Sequence, residues 1–320
     1  MKVLVTGGSG FIGSHVVDKL KNKGIEVRIY DGVMPTFRED LEFYQGSILN
    51  IDSLSFAMNG IDAVFHLAAI ADVKDVYNEP YYSESINVRG TINVLEAARK
   101  AGVKKVIYGS TTWVYSDARE NIVDESTPLY APSHFYTATK LASEYYCQSY
   151  SKLYGLEVTI LRYGIPYGPR ARDGAVVPIF VRKALNGEPL TIAGDGSQFR
   201  KFVYVEDLAE GNVLALKDIA NNKVYNLDGE EKVTIRQIAE TIKKILGDVK
   251  IEYTPARPGD FSGKEVSSKL ANEELDWKPK TSFEEGVRRY IKWYKEREGN
   301  RKRDWEKIDE GLKNRSRYAA

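Results

Sequence analysis

Short runs of aliphatic and β-branched residues alternate with longer segments of helical periodicity through the first half of the chain. Apolar runs of this length and composition predict buried strands. The predicted strands are Lys2–Thr6, Glu26–Asp31, Ala63–Leu67, Lys104–Ser110 and Glu157–Tyr163. Because strands that alternate with helices form βαβ units, the pattern predicts an α/β fold with a doubly wound parallel sheet.

Helices are predicted between these strands. After the first strand, Gly24 is placed to end a helix whose apolar positions recur at helical spacing. Those positions are Phe11, Ile12, Val16 and Leu20. A second helix is predicted over Ile86–Lys100, with Gly102 just past its end, and a third over Tyr136–Tyr154.

The regular alternation ends near Pro166, and a loop rich in Gly and Arg spans Gly164–Gly174. Isolated strand patterns and amphipathic helices follow it. We therefore expect residues 1–165 to form the sheet domain and residues 166–298 to form mainly a smaller C-terminal lobe. Residues 299–320 form a charged tail, in which acidic residues interrupt the basic run. A solvated or partly disordered end fits this composition better than a nucleic-acid-binding tail.

Composition narrows the function classes. The 320 residues include 46 Lys and Arg against 45 Asp and Glu, a net charge of +1 that argues against a nucleic-acid partner held by bulk electrostatics. No apolar run is long enough to cross a bilayer, and the first residues do not resemble a signal peptide. The single cysteine, Cys147, excludes an intramolecular disulfide, and the three histidines show no metal-ligand spacing. We expect a cytoplasmic protein without a membrane partner or a metal.

A glycine-rich segment, Thr6–Gly13, joins the first predicted strand to the first predicted helix. Gly7 makes the tight turn, Gly10 lets a pyrophosphate approach the backbone, and Gly13 lets the helix pack closely on the sheet. Asp31 ends the next strand, where a carboxylate binds an adenosine ribose and repels a 2′-phosphate. The segment predicts a Rossmann-like site for NAD rather than NADP. The competing interpretation is a glycine turn that binds nothing.

Candidate reacting groups lie at the end of the fourth predicted strand and in the first turns of the third predicted helix. Tyr136 and Lys140 lie one helical turn apart, and Ser110 and Thr111 supply hydroxyls at the carboxyl edge of the sheet. A tyrosine has an ordinary pKa of about 10, so it acts as a base near neutrality only if nearby cations stabilise the phenolate by about 4 kcal/mol. His66 is more simply explained as a packed histidine than as a base.

Several motifs in a fixed order resemble one known family. They are Thr6–Gly13, His66–Ala69, Asn87–Thr91, Ser110–Tyr115, Tyr136–Lys140, Tyr167–Arg170, Gly194–Gly196, Arg200–Asp207 and Arg257–Asp260. The chain resembles the extended short-chain dehydrogenases, specifically the NAD-dependent nucleotide-sugar epimerases and dehydratases, and is most similar to UDP-glucose 4-epimerases. The resemblance makes residues 1–165 the NAD-binding Rossmann domain and residues 166–298 mainly the nucleotide-sugar lobe.

The resemblance implies roles for individual residues. Thr111 is the catalytic hydroxyl, Tyr136 the base that takes the proton of the C4 hydroxyl, and Lys140 the lysine at the nicotinamide ribose. The implied NAD-binding residues are Gly7, Gly10, Phe11, Ile12, Gly13, Asp31, Ser47, Ile48, Leu67, Ala68, Ala69, Asn87, Ser110, Tyr136, Lys140 and Tyr163. The implied substrate-binding residues are Thr111, Thr112, Tyr136, Arg200, Arg257, Asp260 and Lys264.

Residues beside the implied catalytic threonine separate the reactions of this family. Dehydratases carry an Asp-Glu pair immediately after the threonine, and decarboxylating relatives carry a Glu at the second position. Here those positions are Thr112 and Trp113, which cannot supply the acid and base. Epimerisation at C4, through a transient 4-keto sugar, is favoured by subtraction. A dehydratase or net oxidoreductase and, last, a non-catalytic NAD-binding sensor are the alternatives.

Three positions depart from the usual epimerase pattern. Ile165 stands where an Asn contacts the substrate diphosphate, and Ser47 stands where an Asp usually bonds adenine. Lys264 lies near the sugar-pocket position, where a cation would suit a uronate, although a lysine extending to solvent explains it more simply. UDP-glucuronate and UDP-N-acetylhexosamines therefore stand beside UDP-glucose as substrates. By family analogy, the helices Ile86–Lys100 and Tyr136–Tyr154 pair in a homodimer.

Overall fold

The computed structural model describes residues 1–255 and 264–316, with side chains described through residue 299. A seven-stranded sheet forms its centre, and every hydrogen-bonded pair of strands within that sheet is parallel. In spatial order its strands are β11 (Val224–Leu227), β7 (Glu157–Tyr163), β5 (Lys105–Thr111), β4 (Ala63–His66), β1 (Lys2–Thr6), β2 (Glu26–Asp31) and β3 (Glu42–Gln45). The chain starts in β1, near the middle, and winds outward in both directions, which confirms the doubly wound, Rossmann-like fold.

Helices cover both faces of this sheet. One face packs against α1 (Phe11–Asn22), α8 (Val205–Leu214) and α10 (Lys269–Leu275). The other packs against α2 (Ile51–Ala57), α5 (Gly90–Ala101) and α6 (Phe135–Tyr154). Within β1, Val3 and Val5 join the first core and Leu4 joins the second, because successive side chains of a strand point to opposite faces. A strand buried on both sides therefore appears in the sequence as a continuous apolar run.

The predicted elements match the structure closely in the first half of the chain. β1, β2 and β7 have the predicted bounds, whereas β4 ends one residue early at His66 and β5 is shifted by one residue to Lys105–Thr111. Cys147 is buried on the face of α6 that packs on the sheet.

The helix predicted over Ile86–Lys100 is present, and its first turn is π-helical. Two short helices, α3 (Val73–Asn78) and α4 (Pro80–Glu84), lead into a π-helical turn at Ser85–Arg89, and α5 begins only at Gly90. The carbonyl of Asn87 accepts hydrogen bonds from the hydroxyls of Thr91 and Ser143. Hydroxyls that bond to a helical carbonyl compete with the regular ladder, and π turns of this kind cluster at functional sites.

The second lobe is built from small sheets. They comprise β12 (Lys232–Thr234), β10 (Phe199–Tyr204) and β8 (Ile165–Tyr167) in one sheet, β13 (Ile251–Thr254) with β9 (Leu190–Ala193) in another, and β14 (Glu265–Val266) with β6 (Ile122–Val123) in a third. Its helices are α7 (Val176–Leu185), α9 (Ile235–Leu246) and α11 (Phe283–Ser316). An aromatic cluster lies in its core, where the rings of Tyr167 and Phe202 lie 5.0 and 5.4 Å from that of Phe283.

The two lobes interleave along the chain, because β11, α8 and α10 come from the second half and join the large sheet. α11 continues to Ser316, so the backbone of the charged tail is helical to that residue where a partly disordered end was expected. In the part of the chain that the structure describes, no helix is both long and apolar enough to span a membrane.

Candidate active site

The glycine loop between β1 and α1 leaves no room for side chains at two of its glycines. Gly7 has φ of 73°, and a Cβ atom there would lie 2.6 Å from the backbone nitrogen of Ala68. A Cβ atom at Gly13 would collide with the carbonyl oxygen of Gly7, whereas at Gly10 it would meet that oxygen only at 3.2 Å. The loop therefore requires glycine for close backbone packing, and the N-terminus of α1 lies at the carboxyl edge of the sheet, where a diphosphate fits.

Asp31 adjoins this loop at the end of β2. Its carboxylate accepts hydrogen bonds from the backbone nitrogens of Ser9 at 3.0 Å and Val33 at 3.1 Å. The carboxylate is thus held against the glycine loop, as a ribose-binding group must be. This geometry fits NAD, while the contacts of Asp31 with the cofactor remain a prediction.

His66 is a packed histidine, as the sequence suggested. Its Nδ1 lies 2.8 Å from the hydroxyl of Thr6, and its Nε2 lies 2.9 Å from that of Thr91. Burial, with a further contribution from the charge of Lys140, lowers the pKa of His66 to about 3. The ring is therefore neutral at physiological pH. It ties β1 to α5 beneath the small residues Leu67–Ala69 at the sheet edge.

The three implied catalytic residues come together at the carboxyl edge of β5. Thr111 ends β5 and Tyr136 lies in the first turn of α6, where the Thr111 hydroxyl is near enough to act on the Tyr136 pKa. Burial raises the pKa of Tyr136 to about 12, while the nearby Thr111 hydroxyl and the charge of Arg172 both lower it. The protein groups around Tyr136 therefore hold it as a neutral phenol.

Lys140 lies one turn further along the same buried face of α6. Its ammonium donates a hydrogen bond of 2.8 Å to the carbonyl of Gly109 and lies 4.9 Å from the centre of the Tyr108 ring. Burial lowers the pKa of Lys140 to about 8, although the charge of Glu144 opposes that change. The ammonium is thus buried next to the reacting centre and only moderately basic.

Several predicted cofactor residues are hydrogen-bonded to the protein itself. The Asn87 amide bonds both backbone groups of Ile70 and the hydroxyl of Thr139. The Ser110 hydroxyl donates to Glu144 at 2.5 Å, and that of Tyr163 donates to Asn212 at 2.5 Å. These contacts indicate that the residues position the site.

Ser47 and Ile48 follow β3 at the predicted adenine position. The Ser47 hydroxyl accepts a hydrogen bond of 3.3 Å from the backbone nitrogen of Leu49, and its carbonyl accepts one from Tyr30 at 3.0 Å. Ile48 is buried against α5, where a Cβ atom at Gly90 would strike its side chain. Both residues therefore fix the loop after β3, and their contact with adenine stays a prediction.

The predicted substrate residues are spread over both lobes. Arg200 lies on β10 and donates a hydrogen bond of 2.7 Å to the carbonyl of Phe199. The Lys264 ammonium is held by the carbonyls of Ala118 and Glu120, at 2.7 and 2.9 Å. Neither has a described contact to the reacting centre. Arg257 and Asp260 lie outside the described residues.

Thr112 and Trp113 begin a 3₁₀ helix, Thr112–Tyr115, directly after Thr111. The backbone nitrogen of Trp113 donates a hydrogen bond of 3.2 Å to the Thr111 hydroxyl, and its ring packs edge-on against His134, with centroids 5.8 Å apart. The structure brings this pair to the reacting centre, where other chemistries of the family would need acidic side chains.

Three functional candidates escaped the sequence interpretation. Arg172, in the loop after β8, is the cation that acts on the Tyr136 pKa, and it pairs with Asp72 at 2.5 Å across the sheet edge. Glu144 and Arg162 form a buried ion pair behind Ser110. Only Glu144 carried a usable signal, because it continues the four-residue spacing from Tyr136 through Lys140.

Comparison with known proteins gives a consistent result. The family profile described as the NAD dependent epimerase/dehydratase family matches residues 3–228. A putative UDP-glucose 4-epimerase of Methanocaldococcus jannaschii is 35% identical over 303 residues, covering 92% of this chain and 98% of that protein. A UDP-N-acetyl-alpha-D-glucosaminuronate decarboxylase of Bacillus cytotoxicus is 35% identical over 321 residues, covering 93% and 99%.

A solved structure is equally similar. The UDP-glucose 4-epimerase of Thermotoga maritima, determined with UDP-glucose, superposes with a TM-score of 0.85 at 35% identity, covering 92% of this chain and 99% of that one. Profile, relatives and fold agree with the glycine loop and the Thr-Tyr-Lys centre described above. This chain belongs to the NAD-dependent epimerase/dehydratase family.

Proposed function

We propose that the protein is an NAD-dependent UDP-sugar 4-epimerase, with UDP-glucose and UDP-galactose as its substrate pair. One observation carries the proposal: Thr111, Tyr136 and Lys140 meet at the sheet edge beside Thr112 and Trp113, which bring no acid or base. Inversion at C4 needs only the removal and return of one hydride and one proton. This is the chemistry that these side chains can support.

Each residue has a defined part in that reaction. Thr111 orients the C4 hydroxyl and relays its proton to the nearby Tyr136 oxygen. The Lys140 ammonium adds the positive charge that a phenolate requires in a buried site. NAD, when bound, supplies the hydride acceptor and donor at C4. The glycine loop and Asp31 would hold its diphosphate and ribose.

Relatives of equal similarity carry different names, so identity alone does not choose the reaction. The Bacillus cytotoxicus relative is a decarboxylase and the Methanocaldococcus jannaschii relative a putative epimerase, both at 35% identity. Trp113 favours epimerisation, because its ring packs on His134 at the position where decarboxylating relatives carry a Glu. A dehydratase would need acidic groups at both Thr112 and Trp113.

A uronate is the second candidate substrate, and Arg172 rather than Lys264 is the cation that supports it. Lys264 is occupied by two backbone carbonyls, whereas the charge of Arg172 acts directly on Tyr136. A carboxylate near C5 of the sugar would find its counter-ion in Arg172. UDP-glucuronate is therefore tested beside UDP-glucose, and UDP-N-acetylglucosamine is included as the third sugar.

The deciding experiment incubates the purified protein with each UDP-sugar separately, without added cofactor, and follows the anomeric protons by NMR. We expect the signal of the C4 epimer to grow to an equilibrium mixture with one of the sugars. Tyr136→Phe, which keeps the ring and removes the hydroxyl, is the control. Formation of NADH, a deoxy-keto sugar or a pentose in place of the epimer would contradict the proposal.

We also propose a cytoplasmic homodimer in which α5 and α6 pair with those of a second copy. The exposed face of α6 supports this, because Tyr145, Tyr146, Leu153 and Tyr154 are 53, 42, 74 and 55% exposed. Contiguous apolar surface of this kind marks interaction sites. We expect a dimer mass by light scattering and a monomer for Tyr146→Lys. A wild-type monomer at micromolar concentration would contradict the proposal.

A further inference from the structure

A buried ion pair joins β7 to α6 directly behind the reacting centre. The Arg162 guanidinium pairs with the Glu144 carboxylate through two bonds, Nε to Oε1 at 3.0 Å and Nη2 to Oε2 at 2.7 Å. The two side chains are 4 and 1% exposed. A buried pair rarely adds net stability over an apolar pair of the same volume, so its presence calls for another reason.

Both charges have additional partners. The Ser110 hydroxyl donates to Glu144 Oε1 at 2.5 Å, and Arg162 Nη1 donates to the Tyr115 hydroxyl at 2.6 Å. The guanidinium also lies 5.0 Å from the centre of the Tyr115 ring. With these contacts the carboxylate accepts three hydrogen bonds. The pair and its two hydroxyl partners form one continuous network, called here the buried network: Ser110, Tyr115, Glu144 and Arg162.

Every member of the buried network lies next to a reacting residue. Ser110 precedes Thr111 in β5, and Tyr115 ends the 3₁₀ helix that Thr112 begins. Glu144 lies on the same buried face of α6 as Lys140, one turn away. The network therefore connects β5, α6 and the 3₁₀ helix that follows Thr111.

The network also reaches the second lobe. The Tyr115 hydroxyl donates to the Asn226 side chain at 3.0 Å, and the Asn226 amide donates to the carbonyl of Ser267 at 3.0 Å. Ser267 directly follows β14, and the neighbouring carbonyl of Val266 accepts a bond from Lys201 on β10. Arg200, a predicted diphosphate ligand, lies beside Lys201 on that strand.

We propose that the buried network positions the catalytic centre, with Glu144 and Arg162 as positioning residues that fix the Thr111 hydroxyl relative to Tyr136 and Lys140. Directional hydrogen bonds to a rigid ion pair set these positions more tightly than apolar contacts do. Misplacement by about an ångström lowers the rate of the chemical step by about 10²-fold. The inference rests on the proposed epimerase function, and it predicts a loss in kcat at nearly constant KM.

Two conservative variants test the positioning without leaving a buried charge unpaired. Ser110→Ala and Tyr115→Phe each remove one hydroxyl and leave the Glu144–Arg162 pair intact. We expect each to lower kcat by about tenfold and to change KM by less than about twofold. Thr159→Val is the matched control, because Thr159 is buried on β7 and bonds only the remote carbonyl of Ala220. It should lose stability and keep its kcat.

The charged pair itself is tested by a double replacement. Glu144→Met with Arg162→Met removes both charges at similar volume, so the protein is expected to fold. We expect kcat to stay at least about 10²-fold below that of the wild type. A double variant with wild-type kcat would overturn the proposal, as would wild-type kcat in both Ser110→Ala and Tyr115→Phe.

A titration keeps the inference separate from the epimerase proposal. Burial lowers the pKa of Lys140, and the Glu144 carboxylate opposes this, so Glu144→Gln should lower the pKa of Lys140 further below about 8. This pKa is measured by NMR of the protein labelled isotopically at the lysine ε position, loaded with NAD and without substrate. If no sugar is epimerised but the pKa of Lys140 shifts, the function fails while the action of the ion pair on the reacting centre stands; an unshifted Lys140 overturns the inference.

Discussion

The cofactor side of the site, formed by the glycine loop and Asp31, and the reacting side, formed around Tyr136 and Lys140, hold their polar groups by different means. On the cofactor side, the Gly7–Gly13 loop offers backbone groups, and the carboxylate of the neighbouring Asp31 is bonded to backbone nitrogens. On the reacting side, buried side chains carry the charge, with Lys140, Glu144 and Arg162 all enclosed. A backbone cradle depends on the absence of side chains, whereas a reacting centre depends on their exact chemistry. The two sides should therefore fail differently when altered.

Removal of the Tyr136 hydroxyl should have the largest effect. Tyr136→Phe keeps the packing of a residue that is 9% exposed and removes the phenol hydroxyl next to Thr111. We expect kcat to fall by about 10³-fold, the contribution typical of a general base. Affinity for NAD, measured by calorimetry, should change less than about threefold. A large loss of NAD binding would show that the two sides are not separable.

Gly13→Ala probes the opposite side. The added Cβ would collide with the carbonyl of Gly7, so the loop must move and the helix must shift from the sheet. We expect about a 10²-fold loss of NAD affinity and a lower melting temperature, because a backbone clash costs about 1–3 kcal/mol or more. Gly174→Ala is the control, since a Cβ there meets nothing within 4 Å. Unchanged NAD affinity in Gly13→Ala would refute the backbone cradle.

Burial of the Lys140 ammonium on the reacting side should lower the free energy of unfolding of the protein. Its pKa in the folded protein is about 8, below the ordinary value of 10.5, so burial of the ammonium opposes folding. As pH rises from about 8 to 10.5, the unfolded chain binds the extra proton and the free energy of unfolding rises. Lys140→Met should thus be more stable than wild type by about 3 kcal/mol at pH 7.

That stability difference should shrink as pH rises from about 8 through 10.5, because removing the proton of the lysine on folding costs less free energy as the pH nears the pKa of the unfolded state. Urea unfolding at a series of pH values measures it. Lys100→Met provides the control, because the Lys100 side chain is 61% exposed on α5 and should show no such trend. A wild-type protein more stable than Lys140→Met at pH 7 would contradict the prediction.

The smallest expected effect concerns sugar choice. Lys264→Ala should leave the ratio of rates on UDP-glucuronate and UDP-glucose unchanged, because its ammonium serves the carbonyls of Ala118 and Glu120. Arg172→Gln should lower the rate on the uronate about fivefold more than that on the neutral sugar, since it removes an exposed rather than a buried charge. Competition assays with both sugars measure the ratio. If Lys264→Ala changed the ratio and Arg172→Gln did not, Lys264 would be the residue that selects the uronate.

The site was predictable where a local pattern encodes it. The glycine loop needs glycine for steric reasons within one turn, and Tyr136 and Lys140 share a helix face by spacing alone. The role of Arg172 was not predictable, because the residue reaches the centre from a loop whose path depends on the second lobe. The role of Arg162 was not predictable either, because in the sequence it is a single charge within an apolar strand, and its partner Glu144 lies on α6.

The sequence by itself determined the apolar runs, the helix periods, the glycine loop and the spacing of Tyr136 and Lys140, since each depends on neighbours within a few residues. Tertiary structure decided that α5 begins after a π turn, because the hydroxyl of Ser143 on α6 joins that of Thr91 at the carbonyl of Asn87. It also decided that Lys264 serves backbone carbonyls and that a buried ion pair lies behind Thr111. Such contacts join residues far apart in the chain, and only packing brings their charges within reach.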